Sequence, residues 1–312
     1  VTAPAPAVVA VVGATATGKS DLAVELALRL GGEVVNADSM QLYRGMDVGT
    51  AKLTPAERRG VPHHLLDVWD VRVAANVADY QRLVRRTLHD LASRGRPAVL
   101  AGGSGLYVRA ALDDLAFPGT DDGVRAGLER DLAEHGPAAL HARLQQVDPA
   151  AAAAILPSNG RRVVRALEVV EITGRPFTAS LPEPGVYAVP AVQLGLALDR
   201  PELDRRIEAR VDRMWEGGLV DEVRRLAEDG LREGRTASRA LGYAQVLRHL
   251  EGEWSEERAR DETVRATRRF ARRQESWFRR DPRVVWLDAG SPDLTERALA
   301  ATGSAADRRS GP

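Results

Sequence analysis

"VVGATATGKS" occupies residues 11–20, and its spacing decides how the rest of the chain is read. Gly13, Gly18, Lys19 and Ser20 fall on the pattern G-x-x-x-x-G-K-[ST]. The apolar run Val8–Val12 precedes them, and Leu22, Ala23, Leu26 and Leu30 follow at helical steps. Strand, glycine loop and helix in that order make a phosphate cradle. The backbone of Gly13, Ala14, Thr15, Ala16, Thr17, Gly18, Lys19 and Ser20 can turn N–H groups onto phosphate oxygens, and the helix N-terminus adds its dipole. Lys19 supplies a compact charge and Ser20 a ligand for Mg²⁺. A glycine turn of purely structural purpose needs neither. The loop does not say whether the phosphate is transferred, hydrolysed or expelled.

Working outward, "GEVVNADSMQLY" reads as a second strand ending near Asp38, and "RPAVLAGGSGLYVRAAL" (96–112) as another strand, Gly turn and helix. Strand character returns at 192–200 and at "RVVWLD" (283–288). Strands alternating with helices predict an α/β fold, a doubly wound parallel sheet of the P-loop NTPase type. Residues 119–185 carry short helical patterns and turns without a convincing central strand. They are expected to form a helical insertion, leaving 1–118 and 186–312 as the catalytic core. Residues 1–7 and 303–312 are expected to be disordered tails.

The 312 residues carry 44 basic and 44 acidic side chains, so a polyanion must be met by a local patch rather than by net charge. No cysteine is present, which excludes disulfides and thiolate chemistry. Neither a processed leader nor a membrane helix is expected, and a cytoplasmic monomer is the simplest reading. Only Lys19 and Lys52 among the 44 basic residues are lysines. Lys19 has its reason in the loop; Lys52 has none from sequence. The six histidines show no ligand spacing, and the adjacent His63 and His64 point to different sides.

The usual bearer of this loop is an ATPase or a small-molecule kinase, which holds Mg²⁺ with a second acid after a neighbouring strand. The strand at Ala98–Ala101 runs instead into Gly102-Gly103-Ser104. Asp38 is the acid available, either as a metal ligand or as a base aimed at an acceptor.

Three further stretches, "DSMQLYRGMDVGTAK" (38–52), "AGGSGLYVRAAL" (101–112) and "SRALGYAQVLRHLEGE" (238–253), follow the loop in order, with "PHHLLDV" (62–68) and "RRVVRALEV" (161–169). Together these closely resemble the bacterial tRNA dimethylallyltransferase family over roughly residues 8–280. The resemblance implies transfer of the dimethylallyl group of dimethylallyl diphosphate to N6 of the adenosine 3′ of the anticodon, in tRNAs reading codons that begin with U. The loop then holds a diphosphate that leaves whole, with Mg²⁺ on Ser20. Asp38 takes the N6 proton, and Lys19, the Thr15 hydroxyl and a helix arginine stabilise the leaving pyrophosphate. By local pattern that arginine is placed at Arg210, with Arg213 as runner-up on a helix that also carries Arg205 and Arg206. The resemblance further places Asp38, Ser39, Met40, Gln41, Ser104, Arg125, Arg239, Gly242 and Tyr243 against the tRNA. Ser104 stands where the family more often carries threonine, and Ala244 where a longer polar side chain is common.

A stacked adenosine cannot reach a buried diphosphate, so the base must be turned out at a cost of a few kcal/mol. Arginines are placed to offset it. Arg161, Arg162 and Arg165 lie within about a turn, and Arg265, Arg268, Arg269, Arg272 and Arg273 form a stripe at helical steps. Glu275 is the one acid between Arg265 and Arg280. The interleaved Phe270, Trp277 and Phe278 are read mainly as core. The stripe and the insertion favour a tRNA anticodon stem-loop over free AMP, the acceptor of the related adenylate isopentenyltransferases.

Overall fold

The computed structural model describes residues 8–177 and 184–307, with the backbone alone for 304–307. The tail expected at 1–7 and part of the connector before Pro184 lie outside those residues.

Strand β1 (Val8–Gly13) is buried throughout and leads through the glycine loop into α1 (Lys19–Leu30). Then follow β2 (Glu33–Asn36), the two-residue β3 (His63–His64), α2 (Val77–Ser93), β4 (Ala98–Gly102) and α3 (Gly105–Leu112). The next helices are α4 (Asp122–Val147), α5 (Pro149–Ala154) and α6 (Gly160–Thr173). β5 (Ala191–Ala197) resumes the sheet, followed by α7 (Arg200–Glu216), α8 (Leu219–Glu228), α9 (Tyr243–Leu250), α10 (Glu256–Phe278), β6 (Val284–Asp288) and α11 (Leu294–Asp307).

Among the described residues the six strands form one parallel sheet in the order β3-β2-β4-β1-β5-β6. Burial on both faces explains the unbroken apolar run of β1; β5 is interrupted by Gln193, whose buried amide donates to Tyr187 and Asp281. On one face Val9, Val11, Val99 and Leu194 pack against Leu22 and Leu26 of α1. A second core joins Tyr43 and Met46 to Leu219, Tyr243 and Val246 of α8 and α9. A third, smaller cluster sets Ala14 of the glycine loop on Leu203 and Ile207 of α7 and Ala271 of α10.

Two glycines are required by this architecture. Gly13 has φ +134°, and a Cβ there would lie 2.8 Å from the Leu196 carbonyl oxygen. A Cβ on Gly102 would lie 2.3 Å from the backbone of Ala37, so β4 can approach the segment after β2 only as glycine.

The chain divides into two compact units, Val1–Asp114 with Val186–Pro312, and Leu115–Gly185. Among the described residues the second is helical in its regular structure, and it begins at Leu115. Its core is Leu128, Leu140, Leu144, Ile155, Val163 and Leu167. Asp121, Asp148 and Asn159 cap its helices through side-chain oxygens. α4 breaks at Gly136-Pro137, where Gly136 has φ +78°.

The expected tail at 303–312 is corrected in part. α11 continues to Asp307; residues 308–312 are not described.

Candidate active site

Ala14 turns the loop toward its partners. Its carbonyl accepts Lys19 Nζ at 2.6 Å and the Thr17 hydroxyl at 2.9 Å. Thr17 is therefore buried with its hydroxyl spent on the loop itself, and the Ala14 side chain faces the small apolar cluster. Both were expected at the diphosphate; their side chains brace the loop from behind. Ala16 and Gly18 take left-handed φ values of 64° and 90°, reversing the chain so that α1 starts without any side-chain cap. Lys19 and Ser20, its first residues, line a cavity together with Thr15.

Asp38 stands two residues beyond β2 at the same cavity. Asn36, buried at the strand end, holds it there. The Asn36 amide donates to the Asp38 carbonyl at 2.9 Å and the Leu65 carbonyl at 3.0 Å, and its oxygen accepts Asp38 N–H at 2.8 Å. Asp38 Oδ1 accepts from Met40 N–H at 2.9 Å, while Oδ2 has no hydrogen-bond partner among the described residues. Ser39 and Ser104 place their hydroxyl oxygens 3.3 Å apart beside it, and Gln41 lines the cavity with its amide on the Thr50 carbonyl at 3.2 Å.

Two helices close the cavity by elementary periodicity. Ile207 and Ala271 are buried against Ala14, and three residues further along each helix, on the same face, come Arg210 and Gln274. Arg210 lines the cavity and donates to the Thr50 carbonyl at 3.0 Å. Arg213 borders only the adjoining outer cavity, and Arg205 and Arg206 are bound to Glu202 at 2.8 and 2.6 Å. Gln274 accepts Thr15 N–H and donates to the Gly103 carbonyl, both at 2.9 Å. It thus joins the phosphate loop to the turn after β4. Sequence reading missed Asn36 and Gln274; Gln274 was legible as the inward step of the arginine-rich helix.

The cations are tuned by one another. Burial, and then the nearby Arg210 charge, draw the Lys19 ammonium down to about 7 against the opposing pull of Asp38. Burial and Arg213 likewise lower Arg210, with Asp38 opposing. Lys19 and Arg210 thus crowd desolvated positive charge into this cavity, and a bound anion relieves it. Ser20 has a hydroxyl at the same cavity, and no cluster of three or more acids or histidines able to hold a metal exists among the described residues. That donor set fits Mg²⁺ carried mostly by ligand oxygens, with Ser20 as its protein ligand.

The residues expected on RNA divide. Tyr243 is fully buried, its hydroxyl on Glu222 Oε1 at 2.5 Å, and Gly242 lies buried beside it at the start of α9. Tyr243 is thus corrected from a tRNA contact to a core residue. Arg125 and Arg165 clamp Glu168, which is itself buried in the second unit, so both have structural employment. Arg161, Arg162 and Arg239 are exposed. On α10, Arg265 pairs with Glu262 at 2.6 Å and Arg268 with Glu208 at 3.0 Å. Arg269 and Arg272 are exposed with no ion pair among the described residues. Arg272, Arg273 and Arg280 border a shallow groove with Trp277, which is 38% exposed, whereas Phe278 is buried. His63 and His64 bind Val61 and Glu33 respectively rather than a metal.

The model of the family described as IPP transferase matches residues 41–281. A protein of Thermobifida fusca named tRNA dimethylallyltransferase is 70% identical over 298 residues, covering 94% of this chain and 93% of its own. One of the same name from Streptomyces coelicolor is 70% identical over 294 residues, with 94% of each covered. Among solved structures, the tRNA isopentenylpyrophosphate transferase of Bacillus halodurans superposes with a TM-score of 0.70 at 40% identity, over 97% of both chains. A eukaryotic dimethylallyltransferase described as acting on tRNA gives 0.78 at 26% identity, over 94% of this chain and 77% of its own. The phosphate loop, the acid beside it and this match over most of the sequence converge, and the chain belongs to the IPP transferase family.

Proposed function

We propose that the protein is a tRNA dimethylallyltransferase. It moves the dimethylallyl group from dimethylallyl diphosphate to N6 of adenosine 37, 3′ of the anticodon, in tRNAs reading codons that begin with U. The observation that carries this reading is one cavity holding Asp38, with an unused carboxylate oxygen, beside Lys19, Arg210 and an uncapped helix start.

That pairing suits attack at carbon. The bond from C1 of the prenyl group to the diphosphate oxygen breaks and a bond from C1 to N6 forms. The N6 lone pair is delocalised into adenine, so the amine becomes nucleophilic only as its proton moves to Asp38 Oδ2. Lys19, Arg210, the Thr15 hydroxyl and the backbone at 18–20 stabilise the charge that grows on departing pyrophosphate. Mg²⁺ on Ser20 supplies further charge neutralisation when bound. Ser39, Gln41 and Ser104 offer hydrogen bonds to the inserted base. Arg269 and Arg272 on α10 offer phosphate contacts to the stem-loop.

Purified protein with labelled dimethylallyl diphosphate and Mg²⁺, offered unmodified tRNA or AMP, tests this. Label is expected in tRNA. Label on AMP alone identifies a free-nucleotide transferase, and phosphate transfer from ATP without prenyl transfer identifies a kinase.

A further inference from the structure

Lys52 is the second lysine of the chain, and the chemistry above leaves it without a task. Its side chain is 3% exposed, and Nζ makes three hydrogen bonds: to the Tyr43 carbonyl at 3.0 Å, Asp47 Oδ1 at 2.6 Å and Asp67 Oδ1 at 2.6 Å. Three donors meet three acceptors, so no N–H is left to reach a ligand. A planar guanidinium cannot deliver three convergent bonds from one atom, which accounts for lysine in a chain that otherwise uses arginine.

The tie fixes a segment that would not hold its shape by local preference. Ala51 and Asp67, on its two sides, have φ values of 48° and 58°, a region costly for residues other than glycine. From the other side Glu222 accepts the N–H groups of Asp47, Val48 and Gly49 at 3.1, 2.8 and 3.1 Å. Between these anchors the Thr50 carbonyl points at Arg210, which it meets at 3.0 Å. That carbonyl is the one hydrogen-bond acceptor Arg210 has among the described residues.

We propose that Lys52 is a positioning residue for Arg210, acting through the Thr50 carbonyl; the inference rests on the reading of this cavity as the diphosphate site. Without the tie, residues 47–52 relax, the carbonyl moves and the guanidinium loses its aim at the leaving group. Lys52 does not contact the diphosphate or the RNA.

The test is a double-mutant cycle of Lys52→Met and Arg210→Ala, read as kcat/KM for dimethylallyl diphosphate and as affinity for inorganic pyrophosphate. Lys52→Met alone is expected to lower both at least tenfold while the KM for tRNA holds. In the Arg210→Ala background it is expected to cost less than twofold more. Lys52→Arg keeps the charge and is expected to fail like Met. Should Lys52→Met not fold, Asp67→Ala removes one acceptor at a half-exposed site and enters the same cycle. Multiplicative losses in the double variant, a matching rise in the KM for tRNA, or wild-type behaviour of Lys52→Arg each overturn the proposal. Pyrophosphate binding is read without any transfer, so wild-type protein that binds pyrophosphate but modifies no tRNA overturns the functional reading and leaves this one standing.

Discussion

Asp38 and Lys19 share a cavity with opposite duties, and each is open to a single substitution. Asp38→Asn keeps the side-chain shape and the oxygen that accepts from Met40 but removes the proton acceptor. A fall in kcat of about 10²–10⁴-fold is expected, with tRNA affinity nearly unchanged in a filter-binding titration. Burial and the Arg210 charge draw the Lys19 ammonium down to about 7. A bound diphosphate favours the charged form and raises that value. Between the two values the free protein lacks the proton and the complex holds it, so binding takes up a proton as pH rises above about 7. Affinity for the diphosphate is expected to fall by up to tenfold per pH unit there, and calorimetry in buffers of different ionisation enthalpy reads the proton directly.

At the scale of elements, α10 does two things on two faces. Outward it presents Arg269 and Arg272; inward Gln274 holds the loop and the turn after β4 together. Gln274→Leu leaves the buried Gly103 carbonyl without a partner, at about 1–3 kcal/mol, and releases the half-buried Thr15 N–H. A lowered Tm and a loss in kcat/KM for the diphosphate of tenfold or more are expected, whereas Gln274→Glu, which still accepts from Thr15, should recover part of both. The elements themselves were largely legible. Apolar runs at Val8–Val12 and 98–101 and the glycine loop carry the sheet because their pattern is local. The inward step of α10 was less visible, because the many arginines on its outer face dominate the sequence. Asn36 and the buried fate of Tyr243 were invisible for a different reason: each is defined by a partner far along the chain, Leu65 for one and Glu222 for the other.

Over the whole molecule, neutrality conceals a division of labour among the arginines. Many are occupied in ion pairs, such as Arg268 with Glu208 and Arg125 with Glu168, and these hold the fold rather than an RNA. Affinity for tRNA is therefore expected to rest on few groups. Arg269→Ala and Arg272→Ala should each reduce the slope of log affinity against log salt by about 0.7–0.9, whereas Arg265→Ala should change it less. Equal slopes for all three variants would place the RNA elsewhere. Strand patterns are absent from 119–185, while the break at Gly136-Pro137 shows in the sequence only as a dipeptide within a helical run.

Glu222 fills a row of backbone N–H groups at Asp47, Val48 and Gly49 with a carboxylate from the chain itself, whereas the start of α1 carries no side-chain cap. The protein thus contains two anion cradles, one permanently occupied and one conditional. In hydrogen–deuterium exchange the amides of 47–49 should be slow in the free protein and indifferent to ligand. Those of Lys19 and Ser20 should exchange quickly until pyrophosphate arrives. The first cradle becomes an internal standard against which occupancy of the second can be timed.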